Sequence, residues 1–201
     1  MKTTGDRRRS IGLAGSAIWL IVISLVFVVW SFLAIRTPIA RLMLIGTVVL
    51  MGGLIVISVI VIHAALGLPV STVPSTPEGK QIRRRFAWVF GAEMFAFAVV
   101  NSVVGVTRNF ELMPSLNLII VGVHFFPLAQ IFRVPRYNIM GLLFCAIPLV
   151  TLLAIPKQFL VGRNLAWYVI PGLGCGLVAS LTAVAGLYEA WKYISKTRGA
   201  A

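Results

Sequence analysis

Glu93 and His124 are ionisable residues that each interrupt a long apolar run. A carboxyl group and an imidazole within reach of each other can share one proton, relay protons, or bind a cation or polar solute. Glu93 follows Arg85 by eight residues, and His124 precedes Arg133 by nine. At about 1.5 Å per helical residue, both lie roughly 12–14 Å in from the same basic end. Asn101 and Asn117 repeat the match, each sixteen residues from those arginines, or roughly 24 Å in. Two helices joined by a short connection through Arg108 and Pro114 are expected to be antiparallel neighbours carrying two polar rungs. Asn117, His124 and Ile131 recur every seven residues and share a face, whereas Glu93 and Asn101 are about 80° apart around their helix. Pro127 frees the carbonyl of Val123 beside His124 and is expected to kink its helix. The pair admits two readings: a functional proton- or cation-sensitive site, or a polar staple between two helices.

The elements that must hold these residues are long and apolar. The chain is 59% hydrophobic and 11% charged, with a mean hydropathy of +0.98, far from the roughly 25% charge of soluble domains. Six apolar stretches predict helices at about 11–35, 42–66, 85–107, 115–132, 138–156 and 166–190, each long enough to cross a bilayer. The expected fold is an all-α, polytopic transmembrane bundle forming one domain over residues 1–201. The first run is too long for a signal-peptide core and is followed by no A-x-A-like site, so it reads as a retained helix. Cys145 and Cys175 fall inside apolar runs and read as small buried hydrophobes.

Positive charge sets an orientation. Thirteen Lys and Arg fall on one side: Lys2, Arg7, Arg8, Arg9, Lys80, Arg83, Arg84, Arg85, Arg133, Arg136, Lys192, Lys196 and Arg198. Five fall on the other: Arg36, Arg41, Arg108, Lys157 and Arg163. Both termini are thus expected in the cytoplasm. Trp30, Trp88, Trp167 and Trp191 fall near predicted helix ends, as interfacial rings do, and only Trp19 is placed deep. The formal net charge of +13 is spread over connecting loops, which argues against nucleic acid and for attraction to anionic lipid headgroups. The longest connection, 67–84, holds Pro69 and Pro74, and Ser75-Thr76-Pro77-Glu78 reads as a capping box that starts the third helix before it enters lipid.

Other polar positions have plainer readings. His63 reads as interfacial, and Gln130 and Glu189, near inner helix ends, reach headgroups or floor an inward-facing cavity. Gly172, Gly176 and Ser180, spaced by four, form a small-residue seam for helix packing, with a homo-oligomer interface as the alternative. No P-loop, HExxH, GxSxG or aspartate pair is present, and nothing calls for a metal or cofactor.

The run Arg84-Arg85-Phe86 to Gly91-Ala92-Glu93, then Ile120-Val121-Gly122-Val123-His124-Phe125-Phe126-Pro127-Leu128-Ala129 and Phe132-Arg133-Val134-Pro135-Arg136-Tyr137, resembles a family of small bacterial six-helix membrane proteins without an assigned activity. The resemblance covers about residues 76–141 and implies a bacterial inner-membrane setting, with no role for any residue. Three functions follow as expectations. The first is a small transporter or ion-conducting protein centred on Glu93, His124, Asn101 and Asn117, which requires a cavity reaching the pair. The second is a scaffold or sensor acting through the sixth helix and the basic loops. The third is a lipid-modifying enzyme, which requires a lateral opening onto Glu93 or His124.

Overall fold

Runs of Leu, Val, Ile and Ala satisfy their backbone groups most simply as helices, the form in which a segment needs no external hydrogen-bond partner. The computed structural model describes residues 3–34, 38–66, 77–161 and 164–198. Six helices result: α1 (Thr3–Ala34), α2 (Pro38–Leu66), α3 (Pro77–Thr107), α4 (Met113–Phe132), α5 (Arg136–Ala154) and α6 (Ala166–Arg198). A single 3₁₀ turn, Phe110–Leu112, precedes α4. A two-residue antiparallel pair, β1 (Leu160–Val161) with β2 (Asn164–Leu165), precedes α6. This small hairpin was not expected from the sequence.

The helices overrun their apolar stretches. The structure begins α1 at Thr3 rather than near residue 11 and ends α6 at Arg198 rather than near 190. Apolarity marks the length a bilayer could cover, whereas helical hydrogen bonding continues into polar flanks. Pro38 and Pro77 each occupy the first position of a helix, where the missing N–H costs nothing. Of the expected capping box, Ser75 and Thr76 lie outside the described residues, as do Lys2, Arg36, Pro69, Pro74 and Arg163. Arg133 closes α4 in the left-handed conformation (φ 55°) with the Val134 N–H bonded to the Ala129 carbonyl. Arg108 ends α3 similarly at φ 56°. A glycine would hold either conformation more cheaply, so each arginine carries about 1 kcal/mol of backbone cost.

Five helices contain segments long and apolar enough to cross a membrane: Leu44–Leu66, Gln81–Thr107, Phe110–Phe132, Arg136–Ala154 and Ala166–Lys196. The described apolar segment of α1, Leu13–Val26, is shorter. Large apolar side chains cover the outside, including Phe95, Val106 and Leu153, a surface suited to lipid and not to water.

At the centre, α1 and α6 pack along each other more extensively than any other pair. Ala14, Ala17, Ile21 and Ser24 of α1 and Cys175, Ala179, Ala183 and Ala190 of α6 are completely or almost completely buried. Spacings of three, four and three residues on α1 and of four, four and seven on α6 keep these side chains on one seam, and the small ones among them let the helix backbones approach. Gly176 is part of this contact: a Cβ there would collide with Val28 Cγ2. Beside it, the Ser24 and Ser180 hydroxyls lie 2.7 and 2.8 Å from the Gly176 carbonyl and 2.6 Å from each other. Two protons serve three contacts, so one hydroxyl donates to the carbonyl and the other donates to its neighbouring hydroxyl or to the same carbonyl. Gly172, one turn earlier, is also buried. The expected packing seam thus lies within the chain, against α1.

Met51, Ser58, Val61 and Ala65 form the buried stripe in the described part of α2, which rests on α1 and α6. On the other side α5 packs between α4 and α6. At one end Ser115 donates to the Trp167 carbonyl (3.2 Å), the Trp167 indole donates to the Ile155 carbonyl (3.0 Å), and Lys157 pairs with Glu111. At the opposite end Arg136 pairs with Glu189 at 2.9 Å, tying α5 to α6. By contrast α3 is peripheral. It packs on α4 and the 3₁₀ turn, and 6% of its apolar window is buried against 50% for α6.

Candidate functional site in the groove between α1, α3 and α4

Two close helix contacts set the position of His124. Along α4, Gly122 faces Gly141 of α5 so closely that a Cβ on Gly122 would lie 2.9 Å from the Gly141 carbonyl oxygen and 2.6 Å from Cys145 Sγ. With α4 held on α5 by that face, residues 121, 124, 128 and 132 form a second face that meets α3 and the groove. On α3, Phe86, Phe90, Glu93 and Phe97 are spaced by four, three and four residues, one helical face with a single carboxylate in an aromatic row.

These faces bring Glu93 and His124 together. Glu93 Oε2 lies 3.2 Å from His124 Nδ1, and the side chains are 10% and 9% exposed. The distance is that of an ion pair, but Nδ1 is not aligned for a hydrogen bond to the carboxylate. A charged pair in such a place is costly unless well compensated. The imidazole also bonds to the backbone of Val89 on α3, but Nδ1, the nitrogen nearest the carboxylate, has no hydrogen-bond partner.

The pair lines a cavity of about 610 Å³, within the size range of small-molecule sites. Its walls come from α1 (Ser16, Trp19, Leu20, Ile23), α3, α4 and Tyr137 of α5. Because α1 and α3 do not pack extensively on each other, the groove is open between them. Trp19, expected at depth, stands at that opening with 63% of its surface exposed. Two ring clusters flank the pair: Phe86 with Phe90 and Phe132 (centroids 6.3 and 5.9 Å), and Phe125 with Tyr137 and Phe144 (5.8 and 5.7 Å).

The second rung does not form a bond. Asn101 Oδ1 and Asn117 Oδ1 are both buried, and neither has a hydrogen-bond partner. Neither residue lines the cavity. The phase difference on α3 accounts for this: the face that presents Glu93 carries Asn101 about 80° away. Pro127 lies inside α4, which remains one helix through it. Gln130 and Glu189 do not floor the cavity, and Glu189 is engaged by Arg136. His63 is exposed near the end of α2, and Cys145 and Cys175 are free thiols. Among the described residues, no three His, Cys, Asp or Glu gather as a metal site.

Sequence reasoning passed over the Gly122–Gly141 contact and the aromatic rows, and it placed Tyr137 only at a helix end. The rows had a readable signal in the four-three-four spacing around Glu93. Tyr137 had none, because its placement depends on how α5 folds back. No family model, curated protein or solved structure matches the chain, so the site must be read from its own geometry.

Proposed function

We propose that the protein is a small multi-pass transporter or ion-conducting protein of the bacterial inner membrane, with Glu93 and His124 as its protonatable centre. In this reading six helices cross the bilayer and both termini are cytoplasmic, following the excess of Lys and Arg on that side. The observation that carries it is the position of the Glu93–His124 pair in the wall of an open cavity of about 610 Å³. A pure staple needs neither the cavity nor the misaligned Nδ1. A bound solute or an exchanged proton gives both a use. Membership of the small bacterial family suggested by the sequence belongs to the same proposal.

Lateral opening also meets the geometric demand of a lipid-modifying enzyme. That reading is weaker because Ser16, the one aliphatic hydroxyl in the lining, donates to the Leu13 carbonyl of its own helix at 2.8 Å, which leaves no activated nucleophile beside His124. A scaffold acting through Gly176 is weaker still, since α1 of the same chain occupies that face.

The test is proton flux into liposomes containing the purified protein and a trapped pH dye, driven by a potassium diffusion potential. Glu93-dependent flux, lost in Glu93→Gln, supports the proposal. Flux equal to that of empty liposomes, with and without added solutes, removes it.

A further inference from the structure

The lining of the groove specifies a class of solute. Seven of its fifteen residues are Phe, Trp or Tyr, in a chain that is 10% aromatic overall. The rings come from four different helices, with Trp19 on α1, Phe86, Phe90 and Phe97 on α3, Phe125 and Phe132 on α4, and Tyr137 on α5. Aromatic faces attract cations, the more so where water is excluded. In their midst is one carboxylate. The ionisable groups in the lining are Glu93 from α3, His124 from α4 and Tyr137 from α5, and α1 contributes none. The nearby Arg85, Arg133 and Arg136 are not part of the lining. Ligand charge is therefore met by one acid that is balanced only when His124 carries a proton.

We propose that this groove binds a lipophilic organic monocation, whose aromatic or aliphatic body lies among the rings and whose charge lies at the Glu93 carboxylate. The proposal rests on the reading of Glu93–His124 as a functional site and names its substrate class. The cation enters from lipid between α1 and α3. The cation takes the electrostatic place of the His124 proton, so one positive charge arrives as one leaves and the buried site stays near neutral. An inorganic ion fits this lining poorly, since rings and methylenes offer it no replacement for its hydration shell.

The probe is tetraphenylphosphonium, paired with tetraphenylborate, an anion of nearly the same size and shape. Binding is measured by equilibrium dialysis on the protein in zwitterionic nanodiscs, with empty nanodiscs subtracted. Saturable binding of the phosphonium, none of the borate, and affinity at least ten-fold weaker at pH 5 than at pH 8 are expected. Glu93→Gln is expected to weaken binding at least ten-fold, and Phe90→Leu several-fold. The comparison of the two ions needs no variant, so a folding defect cannot mimic it. Equal binding of the two ions, no saturable phosphonium binding, or undiminished binding in Glu93→Gln overturns the proposal. Glu93-dependent proton flux without phosphonium binding would reject this substrate class and leave the functional reading intact. Loss of both would reject the two together.

Discussion

Gly122 and Gly141 touch backbone to backbone across α4 and α5: a Cβ on Gly141 would lie 2.7 Å from the Gly122 carbonyl oxygen, and the reverse distance is 2.9 Å. Backbone cannot swing aside as a flexible side chain can, so either glycine-to-alanine change must push the helices apart. Gly122→Ala and Gly141→Ala are each expected to destabilise by about 1–3 kcal/mol, the usual range for overpacking. Thermal unfolding of the detergent-purified variants checks this, and a neutral Gly122→Ala would mean that the two helices do not meet here. Because Gly122 lies two residues from His124, proton flux should fall along with stability.

The Glu93–His124 contact separates a functional site from a staple. Polar pairs between transmembrane helices are coupled by about 0.6 kcal/mol on average. With Nδ1 off the hydrogen-bonding direction, coupling should not exceed this. A double-mutant cycle of Glu93→Gln and His124→Gln in unfolding experiments is expected to give less than about 1 kcal/mol, with neither single change strongly destabilising. Strong coupling would identify the pair as a structural fastening.

Gly176→Leu places a branched side chain where even a Cβ would collide with Val28. The α1–α6 seam is expected to open and the protein to lose its folded state or several kcal/mol of stability. Ser24→Ala, which removes one member of the hydroxyl cluster at the same level, should cost about 0.5–2 kcal/mol. If Gly176→Leu instead left a stable monomer and abolished only self-association on size-exclusion chromatography with light scattering, the seam would belong to an oligomer.

Orientation can be read by labelling. In a background with Cys145 and Cys175 replaced by alanine, single cysteines at Gln158 and Ser195, both exposed, should react with a membrane-impermeant maleimide from opposite faces. Gln158 is expected to label in intact spheroplasts and Ser195 only after permeabilisation. Labelling of both from one side would contradict the six-crossing arrangement.

How far these features could be read in advance depended on how local their causes are. Five membrane-length helices were legible because an uninterrupted run of apolar residues is a local property. The shared depth of Glu93 and His124 was legible from their distances to Arg85 and Arg133, since helical rise is constant. The second rung, Asn101 with Asn117, matched in depth but not in azimuth, the phase difference of about 80° on α3 being readable in advance, and no bond joins the two. Gly122 was noticed only as part of a resemblance. Its importance depends on Gly141, nineteen residues away, and on a crossing point fixed by the packing of α4, α5 and α6. The groove was illegible for a related reason: it is created by helices that stay apart, and sequence patterns report surfaces that meet.

The carboxylate is carried by the helix with the fewest attachments. Since α3 is fastened mainly to α4, and the fastening face is the one bearing His124, any outward swing of α3 widens the groove and parts Glu93 from His124 at the same time. In the proposed function, the width of the opening and the distance between the two ionisable groups are therefore one variable, set by the tilt of a single helix.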